Sequence, residues 1–469
     1  MHKVDLTIKG GKIVNPTGIV EAGVAIDEGK IVSVAKEPNL PDSDQVINAK
    51  GLLILPGAID PHVHIFPWGR RFRREGYVMR KATFETETIS AAFGGVTCLM
   101  DFVLNEPGDD PSENLEECIR EATTKSVIDF AFHFGIGGSW KFEDAQRYID
   151  HAFSKGITSV KIYMCYRTEG FMVDDDLLYA TLHNVAKKDG VSLIHAENGF
   201  LVDYLKEKYV REGRFGPKTQ LEARPSFLEE EAILSSLALA KASRAKTYIV
   251  HLTTKDGLNT ILDARRRGQT VYIEANPNWL FFTQEDTEKK WPLTRETPPF
   301  RTKADTEALW HAITQGQVDT IATDHSPQTM EMKMKSEKIG GFAGVETVLP
   351  LMYSECTKRG LTPSEIVALT SYNASRIFNL PGKGLVHSGY DADLVLLDPK
   401  KEMIVRADRL HTTSDFTLYE GWSLRGVPVT TIVGGEVICS DGQFYGKHGS
   451  GRYVSRNGSQ GDTPRSATS

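Results

Sequence analysis

The stretch LLILPGAIDPHVH, residues 52–64, decides how the rest of the chain is read. Leu52, Leu53, Ile54, Leu55 and Ile59, bounded by Pro56 and Gly57, have the character of a buried strand that runs out at His62-Val63-His64. In extended chain the side chains at i and i+2 point the same way, so His62 and His64 present two imidazoles to one point while Val63 turns away. Such a pair is a metal-binding pattern, and it is equally a chance pair on a solvated loop. The later strand ends decide between the two.

Upstream, residues 4–50 alternate short apolar stretches with turn signals: VDLTIKGGKIVN, a Pro16-Thr17-Gly18 break, then GVAIDEGKIVSVAKE. Period-two patterning with Gly10-Gly11 and Glu28-Gly29 as turns predicts a small antiparallel sheet. The far end of the chain has the same texture, with short β segments at 390–399, 402–405, 429–433 and 436–438. Neither terminal part is long enough to bury a core alone, so residues 1–51 and 388–454 are expected to pair into one smaller, discontinuous β-sandwich domain. The polar tail from Ser455, SRNGSQGDTPRSATS, is expected to be disordered.

Downstream, apolar strands at 52–59, 96–103, 130–136, 159–164, 192–197, 248–253, 271–275 and 320–323 alternate with helical patterns that include 82–93, 143–154, 177–187, 228–242, 257–267 and 304–314. Eight strands, each followed by a helical segment, predict an α/β fold in which residues 52–387 form a (β/α)8 (TIM) barrel. An open Rossmann-like sheet is the alternative, and the lack of a GxGxxG after the first strand counts against it.

Composition sets the class of protein. At 469 residues the chain exceeds the usual size of a single core, and its 40% hydrophobic and 25% charged residues are those of a soluble globular protein. A net charge of -7 argues against nucleic acid or an anionic membrane as partner. There is no signal-peptide pattern and no apolar run of bilayer length, and a cytoplasmic location is expected. The five cysteines, Cys98, Cys118, Cys165, Cys356 and Cys439, are scattered without CxxC spacing and read as reduced and structural. Cys98 and Cys165 lie inside apolar runs, as small buried hydrophobes do.

Active sites of such barrels lie at the C-terminal ends of the strands. There the sequence places His62 and His64 on strand one, Lys161 within SVKIYMCY on strand four, His195 in HAEN on strand five, His251 in YIVHLT on strand six, and Asp324 with His325 in TIATDHSP on strand eight. A lone strand histidine is usually a hydrogen-bonded core residue. Four of them with an aspartate, reaching one rim by independent strands, indicate a metal centre. Lys161 is the odd member, because an unpaired ammonium in an apolar strand is costly. Either it pairs with Asp324 or Glu197, or its amine takes up carbon dioxide and becomes a carboxylate able to bridge two metal ions.

This set resembles the binuclear centre of the amidohydrolase superfamily, and within it the cyclic-amide hydrolases, dihydropyrimidinases and hydantoinases above all. The stretches that carry the likeness are HVH, VKIYMCY followed by GFMVDDDLLY, IHAENG, YIVHLT, ETPPFR, IATDHSP, GVET, DFTLYEGW and VTTIVGGEVI. The resemblance implies two divalent metal ions per chain, zinc by ligand type with cobalt or manganese as substitutes. His62 and His64 would hold the more buried ion with Asp324, His195 and His251 the more exposed one, and carboxylated Lys161 would bridge them. It implies a bridging hydroxide that attacks a ring amide carbonyl, with Asp324 carrying the proton to the departing nitrogen. The substrate is then a small cyclic diamide, and the assembly a homotetramer or homodimer.

On the substrate side the family pattern points to Tyr166, whose hydroxyl would bond the oxyanion or else simply pack at a strand end, to Thr297 in TPPFR, and to the backbone near Gly340. Many relatives carry Ser at the first of the latter two positions and Asn or Glu at the second, which bears on ring selectivity. Dihydroorotases of the family usually have an arginine where Phe66 stands; Arg70 and Arg71 are near, but the pattern favours a ring without a carboxylate. Allantoinase or dihydroorotase activity is the alternative within catalysis, and a metal-free oligomeric scaffold the alternative outside it. The basic and aromatic segment FPWGRRFRREGYVM, residues 66–79, reads either as a lid or as a solvated loop.

Overall fold

In the computed structural model, which describes residues 3–65, 82–335 and 340–456, the apolar run at 52–59 is two strands and not one. Leu53–Pro56 lies in a seven-stranded sheet, antiparallel to Leu394–Ile404 and parallel to Lys12–Asn15. Ala58–Val63 opens an eight-stranded parallel sheet. Gly57 is the crossing point between them. Its N–H donates to the Asp393 carbonyl at 2.9 Å, and a Cβ there would stand 1.9 Å from Thr97 Oγ1. The segment at 66–79, read as a lid or a loop, lies outside the described residues.

The parallel sheet runs in chain order: β1 (Ala58–Val63), β2 (Val96–Val103), β3 (Asp129–Gly135), β4 (Ser159–Tyr163), β5 (Val191–His195), β6 (Lys246–Ile249), β7 (Val271–Ala275) and β8 (Thr320–Ile321). It closes where Val63 pairs in parallel with His325 and the His64 N–H donates to the His325 carbonyl at 2.7 Å. Helices stand between the strands, among them Phe84–Phe93, Pro111–Lys125, Phe142–Ser154, Asp175–Lys187, Phe227–Ser243, Lys255–Arg266 and Lys303–Thr314. Side chains of Thr83, Asp110, Thr254 and Thr302 accept backbone N–H groups at the starts of four of them, which is the capping the sequence offers. The fold is an α/β fold, a (β/α)8 barrel with additional sheets built from both termini.

Those sheets differ from the expected small antiparallel one. Val4–Lys9 pairs antiparallel with Gly23–Asp27 but parallel with Ser43–Asn48 in a four-stranded sheet, whereas Lys12–Asn15 belongs to the seven-stranded sheet. Gly10-Gly11 is therefore a passage between sheets and not a hairpin turn. At Gly11 a Cβ would lie 2.8 Å from Ile54 Cδ1, so the glycine lets the two sheets close up. Glu28-Gly29 does form a two-residue hairpin, with Asp27 opposite Lys30 and positive φ at both turn residues. Leu6, Ile8 and Ile26 from one sheet share a buried cluster with Ile13, Ile54, Leu394, Leu396 and Ile432 from the other. The C-terminal segments at 390–399 and 402–405 join into a single bulged strand, Leu394–Ile404.

Order also extends past Ser455, where disorder was expected to begin. Arg456 is buried, donating from Nη1 to Ser159 Oγ at 2.7 Å and from Nε to the Gly156 carbonyl at 3.2 Å. Three potential acceptors beneath the barrel give that guanidinium a place that polar composition alone does not reveal. Residues 457–469 lie outside the described part of the chain.

Candidate active site

β1 delivers His62 from its interior and His64 just beyond its end, and both are buried. The His62 ring lies with its centroid 5.2 Å from that of His64 and 5.5 Å from that of His251. The His195 ring, at the last residue of β5, is 4.6 Å from that of His251. Asp324 meets the first pair, its Oδ1 lying 3.0 Å from His64 Nε2 and 3.2 Å from His62 Nε2. Phe102 of β2 stacks on His64 and meets His62 edge-on, walling the pair from one side.

Two of these residues stand beyond their strands. His251 was read inside strand six, but β6 stops at Ile249 and His251 has φ +33°. Its N–H donates to the Glu274 carboxylate at 2.7 Å and not to a neighbouring strand. Asp324, expected on the end of strand eight, follows a β8 of only two residues and has φ +51°. The buried Asp60 carboxylate accepts the Thr323 N–H at 3.2 Å, replacing the ladder there. Non-glycine residues at positive φ gather at functional sites, where the surroundings hold the backbone against its preference, and Tyr166 at φ +65° is a third.

The donor set fits a cation. Burial pushes His62 and His251 well below the usual imidazole range, leaving both neutral, the form that ligates metals. His62 Nδ1 lies 2.8 Å from Glu274 Oε1, an acceptor, which assigns the ring proton to Nδ1. Nε2 is then a lone pair that faces the Asp324 carboxylate without hydrogen-bond geometry. Two acceptors set this close repel each other until a cation serves both. His195 Nε2 is engaged by Glu197 at 2.7 Å, which leaves Nδ1 as its free donor atom. Glu197 is in turn paired with the buried Arg224, which outweighs burial and keeps the carboxylate ionised.

Lys161 is 1% exposed on β4. Neither of the expected ion pairs, with Asp324 or with Glu197, forms; its Nζ sits 4.9 and 5.0 Å from the ring centroids of Phe102 and Tyr163. Burial lowers its pKa to about 8 against the opposing pull of Glu274 and Asp324. Near neutral pH that sustains a share of free amine, the species that reacts with carbon dioxide. Cys165 is wholly buried and its thiol is pushed far up, in keeping with a small hydrophobe.

On the open side, the Tyr166 hydroxyl is hydrogen-bonded to Thr297 Oγ1, bringing two of the three substrate-side residues together. Gly340 adjoins the same loop: a Cβ built on it would lie 3.1 Å from Glu296 Oε1 and 3.3 Å from the Arg295 carbonyl. Beyond it the chain returns to the rim, the Ser326 N–H donating to the Phe342 carbonyl at 2.8 Å. His325 is turned away from this space. Gly344 N–H donates to its Nδ1 at 3.0 Å, and its Nε2 lies 2.9 Å from Glu87, so both ring nitrogens are engaged.

Glu274 and Asp60 are the residues that reading by strand ends passed over. Both are carboxylates in otherwise apolar barrel strands, Glu274 in VYIEAN and Asp60 in GAIDPH, and the signal that singled out Lys161 applies equally to them.

Comparisons with known proteins agree with this geometry. The model of the amidohydrolase family matches residues 53–438. A D-hydantoinase from Geobacillus stearothermophilus is 34% identical, with 96% of each chain covered. An allantoinase from Rubrobacter xylanophilus is 33% identical over 94% of this chain and 96% of its own. The crystal structure of a dihydropyrimidinase from Brevibacillus agri superposes with a TM-score of 0.90 at 30% identity, covering 96% of this chain and 98% of that one. With its barrel, its rim of imidazoles and a family match that spans most of its length, the chain belongs to the amidohydrolase family.

Proposed function

We propose that the protein hydrolyses an amide bond of five- or six-membered cyclic diamides, dihydropyrimidines and 5-substituted hydantoins. The observation that carries this reading is the meeting of His62, His64, His195, His251, Lys161 and Asp324 at one end of the barrel, with His62 Nε2 and Asp324 Oδ1 facing each other as two acceptors. His62, His64 and Asp324 would hold one divalent ion, His195 and His251 a second, and carboxylated Lys161 would serve both; zinc suits this donor set. Bound there, such ions supply Lewis acidity toward a carbonyl and lower the pKa of water. Asp324 accepts a proton at its carboxylate and returns it to the leaving ring nitrogen. The Tyr166 hydroxyl, held by Thr297, donates to the substrate carbonyl oxygen as charge builds on it, and the backbone at Thr297 and Gly340 orients the ring.

The likeness to an allantoinase favours a second ring of the same class, allantoin. A panel of dihydrouracil, hydantoin, allantoin and dihydroorotate, assayed on protein loaded with zinc, tests both. Turnover of dihydrouracil or hydantoin is expected, with about two ions per chain by elemental analysis. A protein that takes up no metal when zinc is supplied and opens none of the four rings is a scaffold, and the proposal fails. Lys161→Ala is expected to lose activity that a short carboxylic acid partly restores in place of the carbamate; full activity in the untreated variant removes Lys161 from the centre.

Among the described residues no helix is long and apolar enough to cross a membrane, and a cytoplasmic enzyme is the reading proposed. A homotetramer or homodimer is proposed on the family likeness, with exposed Phe200, Leu201, Tyr204 and Phe227 supplying apolar surface for it. Sedimentation velocity reads the assembly directly.

A further inference from the structure

Glu274 enters the barrel on β7, fully buried between Ile273 and Ala275. One of its oxygens, Oε1, serves a side chain on β1 and a backbone amide just beyond β6. It meets His62 Nδ1 at 2.8 Å and accepts the His251 N–H at 2.7 Å. The second contact falls where the ladder between β6 and β7 ends, since Ile249 pairs with Ile273 and the chain then turns to φ +33° at His251. That backbone angle is uncommon for a residue with a side chain and persists where neighbours enforce it. The Glu274 carbonyl adds a second hold by accepting the Leu252 N–H at 3.0 Å, so His251 is gripped on its own amide and on the next.

We propose that Glu274 is the positioning residue of the metal centre. Its single oxygen sets the tautomer of His62, leaving Nε2 for the ion shared with His64 and Asp324. The same oxygen fixes the backbone that brings His251 toward His195. The ligand arms of the two ions are thus registered against each other by a residue that binds neither. Outer carboxylates of this kind orient ligating imidazoles and raise their basicity. The inference rests on the metal-centre reading given under Proposed function.

Glu274→Gln tests it, because the amide matches the side chain in size but has one oxygen in place of two, and its NH2 group cannot accept from His62 or His251. Wild type and variant are loaded with cobalt(II) and dialysed against a chelator, while metal per chain and the visible cobalt spectrum are followed. The variant is expected to bind cobalt about 10–100-fold more weakly and to show a changed spectrum, with its far-UV circular dichroism unaltered. A folded Gln variant that retains cobalt as wild type does, with the same spectrum, overturns the proposal. Should that variant fail to fold, Glu274→Asp withdraws the carboxylate from both partners and is expected to lose cobalt faster. Retention at the wild-type level in a folded Asp variant overturns the proposal equally. Wild-type protein that takes up no cobalt defeats the metal-centre reading itself, an outcome distinct from both.

Discussion

Asp324 stands where two roles meet, as a partner of His62 and His64 and as the proposed proton carrier. Asn keeps an oxygen for a ligand position but cannot take a proton at neutral pH. Asp324→Asn is therefore expected to fold and bind substrate, with kcat lower by about 10² to 10⁴ and KM little changed. Steady-state kinetics on metal-loaded variant checks this; a near wild-type kcat leaves Asp324 a ligand alone. His325 does not offer a replacement, since both its nitrogens are already committed to Glu87 and to backbone N–H groups. At this scale the sequence was informative where chemistry and period coincide. Two histidines at i and i+2, and a lysine in an apolar strand, announce themselves without a structure. The Glu274 and Asp60 carboxylates carry the same kind of signal, but what each holds depends on backbone amides at His251 and Thr323, which no pattern of residue types displays.

The elements were legible in the barrel and much less so at its edges. Apolar runs of parallel strands read plainly, and 96–103 and 271–275 coincide with β2 and β7. The ends of β6 and β8 did not, because side chains of Glu274 and Asp60 take over the ladder where His251 and Asp324 leave it. The run at 52–59 misled for a different reason: both strands it contains are buried and apolar, and what separates them is the packing of Gly57 on Thr97 and its backbone bonds to Asp393 and Ser371. Gly57→Ala is a direct probe of that junction. Its Cβ would fall 1.9 Å from Thr97 Oγ1 and 2.4 Å from Cγ2, an overpacking expected to cost about 1–3 kcal/mol in chemical denaturation. Adding Thr97→Ala, which removes Oγ1 and Cγ2 but leaves the Thr97 Cβ at 2.6 Å, is expected to recover part of that loss. A stability of Gly57→Ala equal to wild type would mean that the two strands slide apart freely, and the junction would not be a fixed point of the fold.

At the scale of the whole molecule, a buried charge cluster that sequence reading did not foresee adds to the apolar packing that joins the barrel to the terminal sheets. The Lys383 ammonium is bonded to Asp129 at the start of β3 and to Asp393, and lies 2.8 Å from Asp391, while Arg452 reaches Asp129 and Asp391 at 2.8 and 3.1 Å. These partners come from segments more than two hundred residues apart in the chain, so only the folded topology reveals that the charges balance. Lys383→Met leaves three buried carboxylates with Arg452 and Lys30 alone, and removing one partner of such a cluster is expected to cost about 3–5 kcal/mol. The pH dependence follows from the direction of each shift. Although burial opposes it, the carboxylates raise the Lys383 pKa well above 10.5, so its contribution is complete below that value and is lost as pH rises through the folded pKa. Burial alone would raise Asp391, but Lys383 and Lys30 hold it below 3.8, so its contribution is present above that value and is lost as pH falls. Burial raises Asp393 even beside Lys383, and the variant's unpaired carboxylates take up protons more readily still. The denaturation midpoints of wild type and Lys383→Met should therefore lie furthest apart at neutral pH and begin to converge on acidification while the pH is still above about 4. A gap that is absent at neutral pH, or that widens on acidification, would show that the cluster does not join the two parts of the molecule.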